Sequence, residues 1–152
     1  MKENYILYFG AGDDKANREV IKAFIKMPQN NFVMKFHPQE RIIEYKKLIK
    51  GFDNIKIVNK NVHKLIKEAV FVIIGGTSTT YLESVIASKP TIIYYPYKLT
   101  GFFFRFPIQK ASLPIIQNVT ELKRVLTIGE WKESNICDDD IKYNYESDSG
   151  VE

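Results

Sequence analysis

Residues 70–96 read VFVIIGGTSTTYLESVIASKPTIIYYP. An apolar run ends at Gly75 and Gly76, residues with hydroxyl groups follow, and apolar residues at helical spacing lead to a second apolar run opened by Pro90. This pattern predicts a strand, a turn, a helix and a second strand, which together form a βαβ unit. The stretch therefore indicates an α/β protein built on a parallel sheet.

The turn between the first strand and the helix suits a phosphate group. Backbone N–H groups at the start of a helix have no partner within that helix, and the helix dipole places about half a positive charge there. The two glycines let a ligand approach closely, and the hydroxyl groups add hydrogen-bond donors. The candidate phosphate-binding residues are Gly76, Thr77, Ser78, Thr79 and Thr80. We expect a nucleotide or a nucleotide-sugar diphosphate at this turn.

Apolar segments alternate with helical patterns along the rest of the chain. Further strands are predicted at Tyr5–Phe9, Phe32–Phe36 and Ile55–Val58, with a sixth short strand at Leu113–Ile116. Right-handed crossovers give a doubly wound, Rossmann-like parallel sheet with the strand order 3-2-1-4-5, which the sixth strand would extend. The Gly10 loop, His37 and the turn after Gly75 then lie at the carboxyl edge of the sheet, where ligands bind in such folds.

Four more helices are predicted besides the one in the central unit. Asp13 or Asp14 is a suitable N-cap for the first helix, and Gly51 closes the second. The inward-facing residues of the four helices are predicted to be Val20, Ile21, Phe24 and Ile25; Ile42, Ile43, Leu48 and Ile49; Val62, Leu65 and Ile66; and Leu122, Val125 and Leu126.

Composition narrows the class of protein. A chain of 152 residues, 45% of them apolar and 26% charged, supports one domain with a full core. The net charge of +4 comes from lysines spread along the chain, so nucleic acid is not indicated as a partner. A single cysteine, Cys137, excludes an internal disulfide and fits a reducing compartment. With no apolar run near the roughly 20 residues of a membrane span and no signal peptide, we expect a cytoplasmic protein, with peripheral contact to the inner membrane face as an extension.

The end of the chain differs in composition from the rest. We expect residues 1–136 to form the folded domain and residues 137–152 to form an acidic, flexible tail. Asp138, Asp139 and Asp140 have metal-binding chemistry, but consecutive carboxylates at a terminus are typical of solvent-exposed chain. No metal site is therefore predicted.

Two further segments allow more than one interpretation. Gly10-Ala11-Gly12 lacks the third glycine of a dinucleotide fingerprint, so it indicates a tight turn beside a ligand cleft more than a dinucleotide site. Phe102 to Phe106 holds four phenylalanines around one arginine. These aromatic residues either form an exposed patch for a lipid acceptor, a membrane face or a partner domain, or cover the edge of the sheet.

Two motifs coincide with one family. Lys35-Phe36-His37-Pro38 stands at a strand end, and Gly76-Thr77-Ser78-Thr79 leads into residues 81–90, YLESVIASKP. The chain from Tyr5 to Pro96 resembles the C-terminal, nucleotide-binding half of GT-B glycosyltransferases. The resemblance is strongest to the capsule and teichoic-acid group, with bacterial sialyl- and polysialyltransferases and CDP-glycerol glycerophosphotransferases, whose His-Pro and Ser/Thr motifs grip nucleotide phosphates.

The resemblance implies roles for particular residues. His37, followed by Pro38, corresponds to the histidine that contacts the donor phosphate and helps the leaving nucleotide accept charge, although it could merely cap its strand. Ser78 and Thr79 correspond to the phosphate-binding hydroxyls. Glu83 corresponds to a carboxylate that binds the ribose hydroxyls, but Thr80 and Glu83 also fit a helix capping box. His63 has no such context, and we expect it on a helix surface.

The resemblance also implies an incomplete active site. GT-B enzymes have two Rossmann-like domains and often take the acceptor-activating base from the N-terminal one, which this sequence does not contain. The expected function is the donor-binding half of a glycosyl- or glycerophosphotransferase of surface polysaccharide synthesis, with a CMP-, CDP- or UDP-linked donor and no other cofactor. Its partner would be an N-terminal domain or a separate subunit. The alternatives are a non-catalytic nucleotide- or partner-binding module and a UDP-sugar 2-epimerase-like domain.

Overall fold

The computed structural model of the chain describes residues 4–10, 12–76, 83–84, 87–97 and 113–129. The predicted tail at residues 137–152 and the aromatic segment Phe102 to Phe106 lie outside these ranges. The described elements, in chain order, are β1 (Tyr5–Phe9), α1 (Asp14–Ile25), β2 (Phe32–Lys35), α2 (Ile42–Leu48), β3 (Ile55–Ile57), α3 (Val62–Glu68), β4 (Ala69–Gly75), β5 (Thr91–Tyr94), β6 (Ile115–Ile116) and α4 (Val119–Ile128).

The strands form one six-stranded parallel sheet in the order β3-β2-β1-β4-β5-β6. The predicted doubly wound, Rossmann-like topology and its sixth strand are confirmed, although β6 is only two residues long. Because every described strand runs in the same direction, the segments that follow β1, β2 and β4 all leave the sheet at its carboxyl edge. Gly10, His37 and Gly76 therefore share one edge of the molecule.

Both faces of the sheet are covered, which explains why its central strand is apolar throughout. All five residues of β1 are buried. Ile6 and Tyr8 pack on one face with residues of α1 and α4, while Leu7 packs on the opposite face with Leu65 of α3. In a strand that is covered on both faces, no side chain faces solvent, so polar and apolar residues do not alternate. An uninterrupted apolar run is therefore the expected sequence.

Short polar side chains cap three of the described helices, and the first cap, Asp13, is one of the two candidates that the sequence analysis named. The Asp13 carboxylate accepts a hydrogen bond from the Lys15 backbone N–H and caps α1. The Asn61 side chain caps α3 in the same manner, and Asn118 caps α4. The predicted inward residues of α4 are buried, namely Leu122, Val125 and Leu126.

The prediction for the buried face of α2 was wrong at Ile43. Its side chain is 74% exposed, and the buried residue of the helix is Tyr45. The Tyr45 ring packs 4.7 Å from the Phe36 ring, centroid to centroid, and its hydroxyl donates a hydrogen bond to Asp14. In a helix of seven residues these contacts set the rotation, and they turn position 43 toward solvent.

Candidate nucleotide-binding site

The His-Pro sequence forms a tight turn directly after β2. The Glu40 backbone N–H donates to the carbonyl oxygen of His37 at 2.9 Å, which closes a four-residue turn with Pro38 at its second position. Proline favours that position because its ring fixes φ near the value the turn needs. His37 is exposed, and its Nδ1 accepts a hydrogen bond from the Gln39 backbone N–H at 3.2 Å. In a neutral ring the proton then sits on Nε2, which leaves an N–H donor for a ligand.

Glu40 connects this turn to the loop after β1. One carboxylate oxygen, Oε1, accepts hydrogen bonds from the Gly12 backbone N–H at 2.9 Å and from Asn17 Nδ2 at 2.8 Å. The other oxygen, Oε2, accepts from the His37 backbone N–H at 2.7 Å. No role for Glu40 was predicted from the sequence. The one feature that could have indicated it is a carboxylate at the last position of the His-Pro turn. Glu40 therefore joins the loop after β1 to the His-Pro turn, and both segments were predicted to lie beside the ligand.

The two glycines of the first loop are required for different reasons. A Cβ atom on Gly10 would lie 2.4 Å from Cδ1 of Phe36 and 2.6 Å from Oε2 of Glu40, so no side chain fits. Gly12 has a φ of +69° and open space around it, so glycine is needed there for the backbone conformation. The Gly10 N–H donates to the Lys35 carbonyl, and the Gly12 N–H donates to Glu40. Both amides are therefore engaged within the protein.

Beneath this loop lies a buried polar network centred on Asn17. The Asn17 side chain is fully buried, accepts a hydrogen bond from the Tyr8 hydroxyl at 2.7 Å and donates to the Tyr45 hydroxyl at 3.2 Å. Tyr45 in turn donates to Asp14 at 2.8 Å. These bonds join β1, α1 and α2 directly below the Gly12 loop, so they support the site although no motif in the sequence marks them.

The network shifts two ionisation equilibria. Burial, which disfavours the charged phenolate, raises the pKa of Tyr45 to about 12, and the hydrogen bond to Asp14 acts in the same direction. The pKa of Asp14 is lowered, first by its hydrogen bond from Arg18 and then by the one from Tyr45. At neutral pH the network therefore holds a neutral phenol and an ionised carboxylate.

The turn after β4 leaves the sheet at Gly76. Gly75 is buried and lies beside Tyr94 of β5, and the Gly76 N–H donates to the Tyr94 carbonyl at 3.0 Å. Gly76 has a φ of 62°, in the left-handed region that residues with a side chain rarely adopt. The hydroxyl-bearing residues Thr77 to Thr80 lie outside the described ranges.

Glu83, which is helical together with Ser84 in the described range 83–84, lies close to α3. Oε2 of Glu83 lies 3.8 Å from Nδ1 of His63, whose side chain is 79% exposed as predicted for a surface helix residue. Among the residues that the structure describes, Oε2 of Glu83 and Oγ of Ser84 are buried and have no hydrogen-bond partner. This contact could not be predicted from the sequence, because twenty positions separate the two residues.

A groove runs between α3 and the described residues between β4 and β5. Its volume is about 390 Å³, and its described lining residues are His63, Ile66, Lys67, Glu83, Ala87 and Lys89. The groove begins near the first turn of α3, which lies at the carboxyl edge because α3 runs antiparallel to the strands. From His63 and Glu83 the groove extends toward Lys67 and Lys89, and Lys89 Nζ donates to the carbonyl oxygens of Lys67 and Ala69 at the end of α3 and the start of β4.

The sheet sets the distance between the two motifs. His37 follows β2, Gly76 follows β4, and β1 lies between these strands. Neighbouring strands are about 4.8 Å apart, so the ends of β2 and β4 are separated by about 10 Å. A diphosphate spans a gap of this order when flanking side chains reach toward it. The topology thus brings His37 and Gly76 to one edge.

The described ranges contain neither a metal-binding cluster nor a membrane-spanning helix. No group of three or more His, Cys, Asp or Glu residues in them is arranged to hold a metal ion. In the same ranges, none of the helices combines the length and the apolar character of a membrane span.

No protein-family model matches the sequence, and neither does any curated protein. Solved structures do match the fold. The UDP-GlcNAc 2-epimerase of Neisseria meningitidis bound to UDP-GlcNAc has a TM-score of 0.65 at 12% identity, over 98% of this chain and 43% of that one. The C-terminal CMP-Kdo binding domain of WaaA from Acinetobacter baumannii has a TM-score of 0.61 at 10% identity, over 94% and 88%.

The E. coli heptosyltransferase WaaC with ADP-2-deoxy-2-fluoro heptose is a third match, with a TM-score of 0.54 at 14% identity over 88% of this chain and 44% of that one. The chain spans less than half the length of the heptosyltransferase and of the epimerase, but most of the WaaA domain. The chain therefore shares the Rossmann-like fold of these structures.

Proposed function

We propose that this chain is the donor-binding half of a glycosyltransferase or glycerophosphotransferase that uses a nucleotide-activated donor to build surface polysaccharide. The observation that carries the proposal is the arrangement of the carboxyl edge, where the His-Pro turn and the glycine turn after β4 stand two strands apart. The fold is shared with domains whose structures contain UDP-GlcNAc or are described as binding CMP-Kdo. An N-terminal domain, in the same protein or in a separate subunit, would complete the active site.

The donor phosphates bind at the turn after β4. In the proposal, the hydroxyl groups of Ser78 and Thr79 and the free N–H groups at the start of the following helix contact the phosphate oxygens, with Thr77 and Thr80 beside them. Gly76 precedes these residues and has a φ of 62°, a left-handed backbone conformation that favours glycine. Charge-assisted hydrogen bonds of this kind are each worth about 1.5–3 kcal/mol.

His37 acts on the phosphate that leaves with the nucleotide. When the bond between the transferred group and its phosphate oxygen breaks, that oxygen gains negative charge, and the electron pair stays with the departing nucleotide. The Nε2–H of His37 donates a hydrogen bond to this oxygen, and a protonated ring could give it the proton. The base that removes the acceptor proton would come from the other domain.

Glu83 binds the ribose hydroxyls in this proposal. Its Oε2 is buried without a hydrogen-bond partner among the described residues, and a carboxylate in that condition gains from a hydroxyl donor. His63, which lies 3.8 Å away, would orient the carboxylate. The groove of about 390 Å³ that these two residues line offers space for the nucleoside.

A UDP-sugar 2-epimerase-like function is the second candidate. The TM-score of 0.65 with the Neisseria meningitidis epimerase favours it. Both functions predict the same nucleotide site, and they differ in the fate of the sugar. A transferase releases free nucleotide only as an acceptor is glycosylated, whereas an epimerase produces a new sugar isomer without an acceptor, so product analysis with the second domain present separates them.

Location and membrane contact belong to the same proposal. We place the chain in the cytoplasm, where nucleotide-activated donors are made, with peripheral contact to the inner membrane face through Phe102 to Phe106. Replacing the four phenylalanines of this segment by serine should lower binding to lipid vesicles and leave nucleotide binding unchanged. Equal vesicle binding by the variant would remove the membrane part of the proposal.

Ligand-observed NMR with CMP, CDP, UMP and UDP tests the donor site. We expect at least one nucleotide to bind with a millimolar or lower Kd, and Ser78→Ala to weaken that binding by about tenfold or more, the effect of losing one hydrogen bond to a charged group. Thr127→Ala is the matched control, because Thr127 is an exposed hydroxyl residue near the C-terminal end of α4. If none of the four nucleotides binds to folded protein, the donor-site proposal fails and a partner-binding module becomes the better account.

A further inference from the structure

We infer that Glu40 is a positioning residue for His37. Its carboxylate ties the loop after β1 to the His-Pro turn after β2, and in doing so fixes the direction in which the His37 imidazole offers its Nε2–H. The identity of the ligand rests on the proposed function, whereas the hydrogen bonds between Glu40 and His37 do not depend on it.

Glu40 binds both backbone polar groups of His37. Its own N–H donates to the His37 carbonyl at 2.9 Å, and its Oε2 accepts from the His37 N–H at 2.7 Å. A residue held at both its N–H and its carbonyl has little freedom in φ and ψ, so the Cα–Cβ direction of His37 is fixed. The side chain then needs only one further contact to define the ring.

That further contact lies inside the same turn. The Gln39 N–H donates to Nδ1 of His37 at 3.2 Å, and this bond selects the orientation in which Nε2 points away from the turn. The Gln39 N–H has this direction only while the turn is closed. Without the Glu40 carboxylate the backbone bond would still close the turn, but the His37 N–H would lose its acceptor and the turn would lose its bond to the Gly12 loop. The ring is then held less firmly, although no atom of His37 is removed.

The loop after β1 supplies the fixed support. Oε1 of Glu40 accepts from the Gly12 N–H and from Asn17 Nδ2, and Asn17 is fully buried. A carboxylate has about four acceptor positions, and three protein donors occupy most of them. The absence of a side chain at Gly10 leaves the space that the carboxylate needs, since a Cβ there would be 2.6 Å from Oε2. Glu40 is thus anchored in the core on one side and bonded to His37 on the other.

A double-mutant cycle tests whether Glu40 acts through His37. Affinities of UDP and uridine, or of CDP and cytidine, are measured for wild type, Glu40→Gln, His37→Ala and the double variant. Glu40→Gln should weaken the diphosphate by about tenfold, leave the nucleoside unchanged, and have little further effect in the His37→Ala background. Glu44→Gln, an exposed carboxylate one helical turn further on, is the control and should change neither affinity.

Three results would overturn the inference. The first is an equal loss of nucleoside and diphosphate affinity in Glu40→Gln, which marks general damage to the site. The second is a full tenfold effect that persists in the His37→Ala background, which shows that Glu40 acts independently. The third is no effect at all.

A ligand-free measurement separates this inference from the proposed function. Side-chain couplings from NMR should show one His37 rotamer in wild type and rotamer averaging in Glu40→Gln, with His63 as the internal reference because the chain has only these two histidines. If no diphosphate binds, the proposed function fails, and an averaged His37 in the wild type would then overturn the positioning role too. If Glu40→Gln does not fold, Glu40→Asp keeps the charge with a shorter reach, and it should show partial averaging.

Discussion

Gly10→Ala is the sharpest test of how the loop after β1 and the His-Pro turn fit together. The new Cβ would lie 2.4 Å from the Phe36 ring, 2.6 Å from Oε2 of Glu40 and 2.9 Å from its Oε1. These separations are far below ordinary van der Waals contact, so both neighbours must move. The variant therefore disrupts the contact between the two loops with a single methyl group.

The size of the effect follows from what must move. The Phe36 ring is buried between Tyr8 and Tyr45, with centroid distances of 6.2 and 4.7 Å, so it has no free space to enter. Inserting a methyl group into packing of this kind destabilises a protein by about 1–3 kcal/mol. Displacement of the Glu40 carboxylate weakens bonds to a charged acceptor, worth about 1.5–3 kcal/mol each when buried but less at this partly exposed site. We expect a total of about 2–4 kcal/mol.

Urea unfolding followed by circular dichroism measures this loss. For an m value of about 2 kcal/mol per molar, the midpoint should fall by about 1–2 M with m unchanged. Gly51→Ala is the matched control, because Gly51 has a φ of +88° and nothing near a new Cβ. Its loss comes from backbone strain alone, about 1–2 kcal/mol. A Gly10→Ala variant that loses less stability than Gly51→Ala would refute the reasoning.

Three further perturbations test other parts of the structure. Asn17→Ala removes the buried bonds to Tyr8 and Tyr45, so the free energy of unfolding, measured in urea, should fall by about 2–4 kcal/mol; a change below about 0.5 would contradict the network. Burial is the main reason that the pKa values of Tyr5 and Tyr45 are raised to about 12. The two tyrosines contribute fully to stability below pH 10, the ordinary tyrosine pKa, and this contribution is lost as the pH rises from 10 to about 12. Tyr45→Phe should therefore lose less stability than wild type between pH 10 and 12. An equal loss in the two proteins would contradict the raised pKa of Tyr45. Gly76→Ala strains a backbone at a φ of 62° and should lower the melting temperature and nucleotide affinity together, whereas unchanged affinity would separate this turn from the ligand.

The sheet could be read from the sequence because its physical signals are local. The five residues of β1 form an apolar run bounded by polar residues and glycine, and the structure has the same bounds. The alternation of such runs with helical spacing, together with the handedness of crossovers, leaves few strand orders to consider. Asp13 is a short polar residue placed just before an apolar helical pattern, which is what an N-cap requires.

The contacts that form the candidate site could not be predicted from the sequence in the same way. Glu40, Gly12 and Asn17 meet only after β1 and β2 are paired, and no spacing rule relates their positions. Ile43 was misplaced because the rotation of α2 depends on what the Tyr45 hydroxyl bonds to, which the apolar pattern does not encode. These are tertiary contacts between polar groups, and periodicity reports only apolar burial.

The central claim is that a phosphate of the donor lies between His37 and the turn after β4. The most direct measurement is the ratio of the Kd of a nucleoside to that of its diphosphate, together with the backbone amide shifts that the diphosphate induces. We expect the diphosphate to bind wild type about tenfold or more tightly than the nucleoside, to move the amides of His37 and Gly76, and to lose this advantage in His37→Ala and Ser78→Ala. Equal affinities for the nucleoside and the diphosphate, or amide shifts confined to the amino edge of the sheet, would contradict the claim.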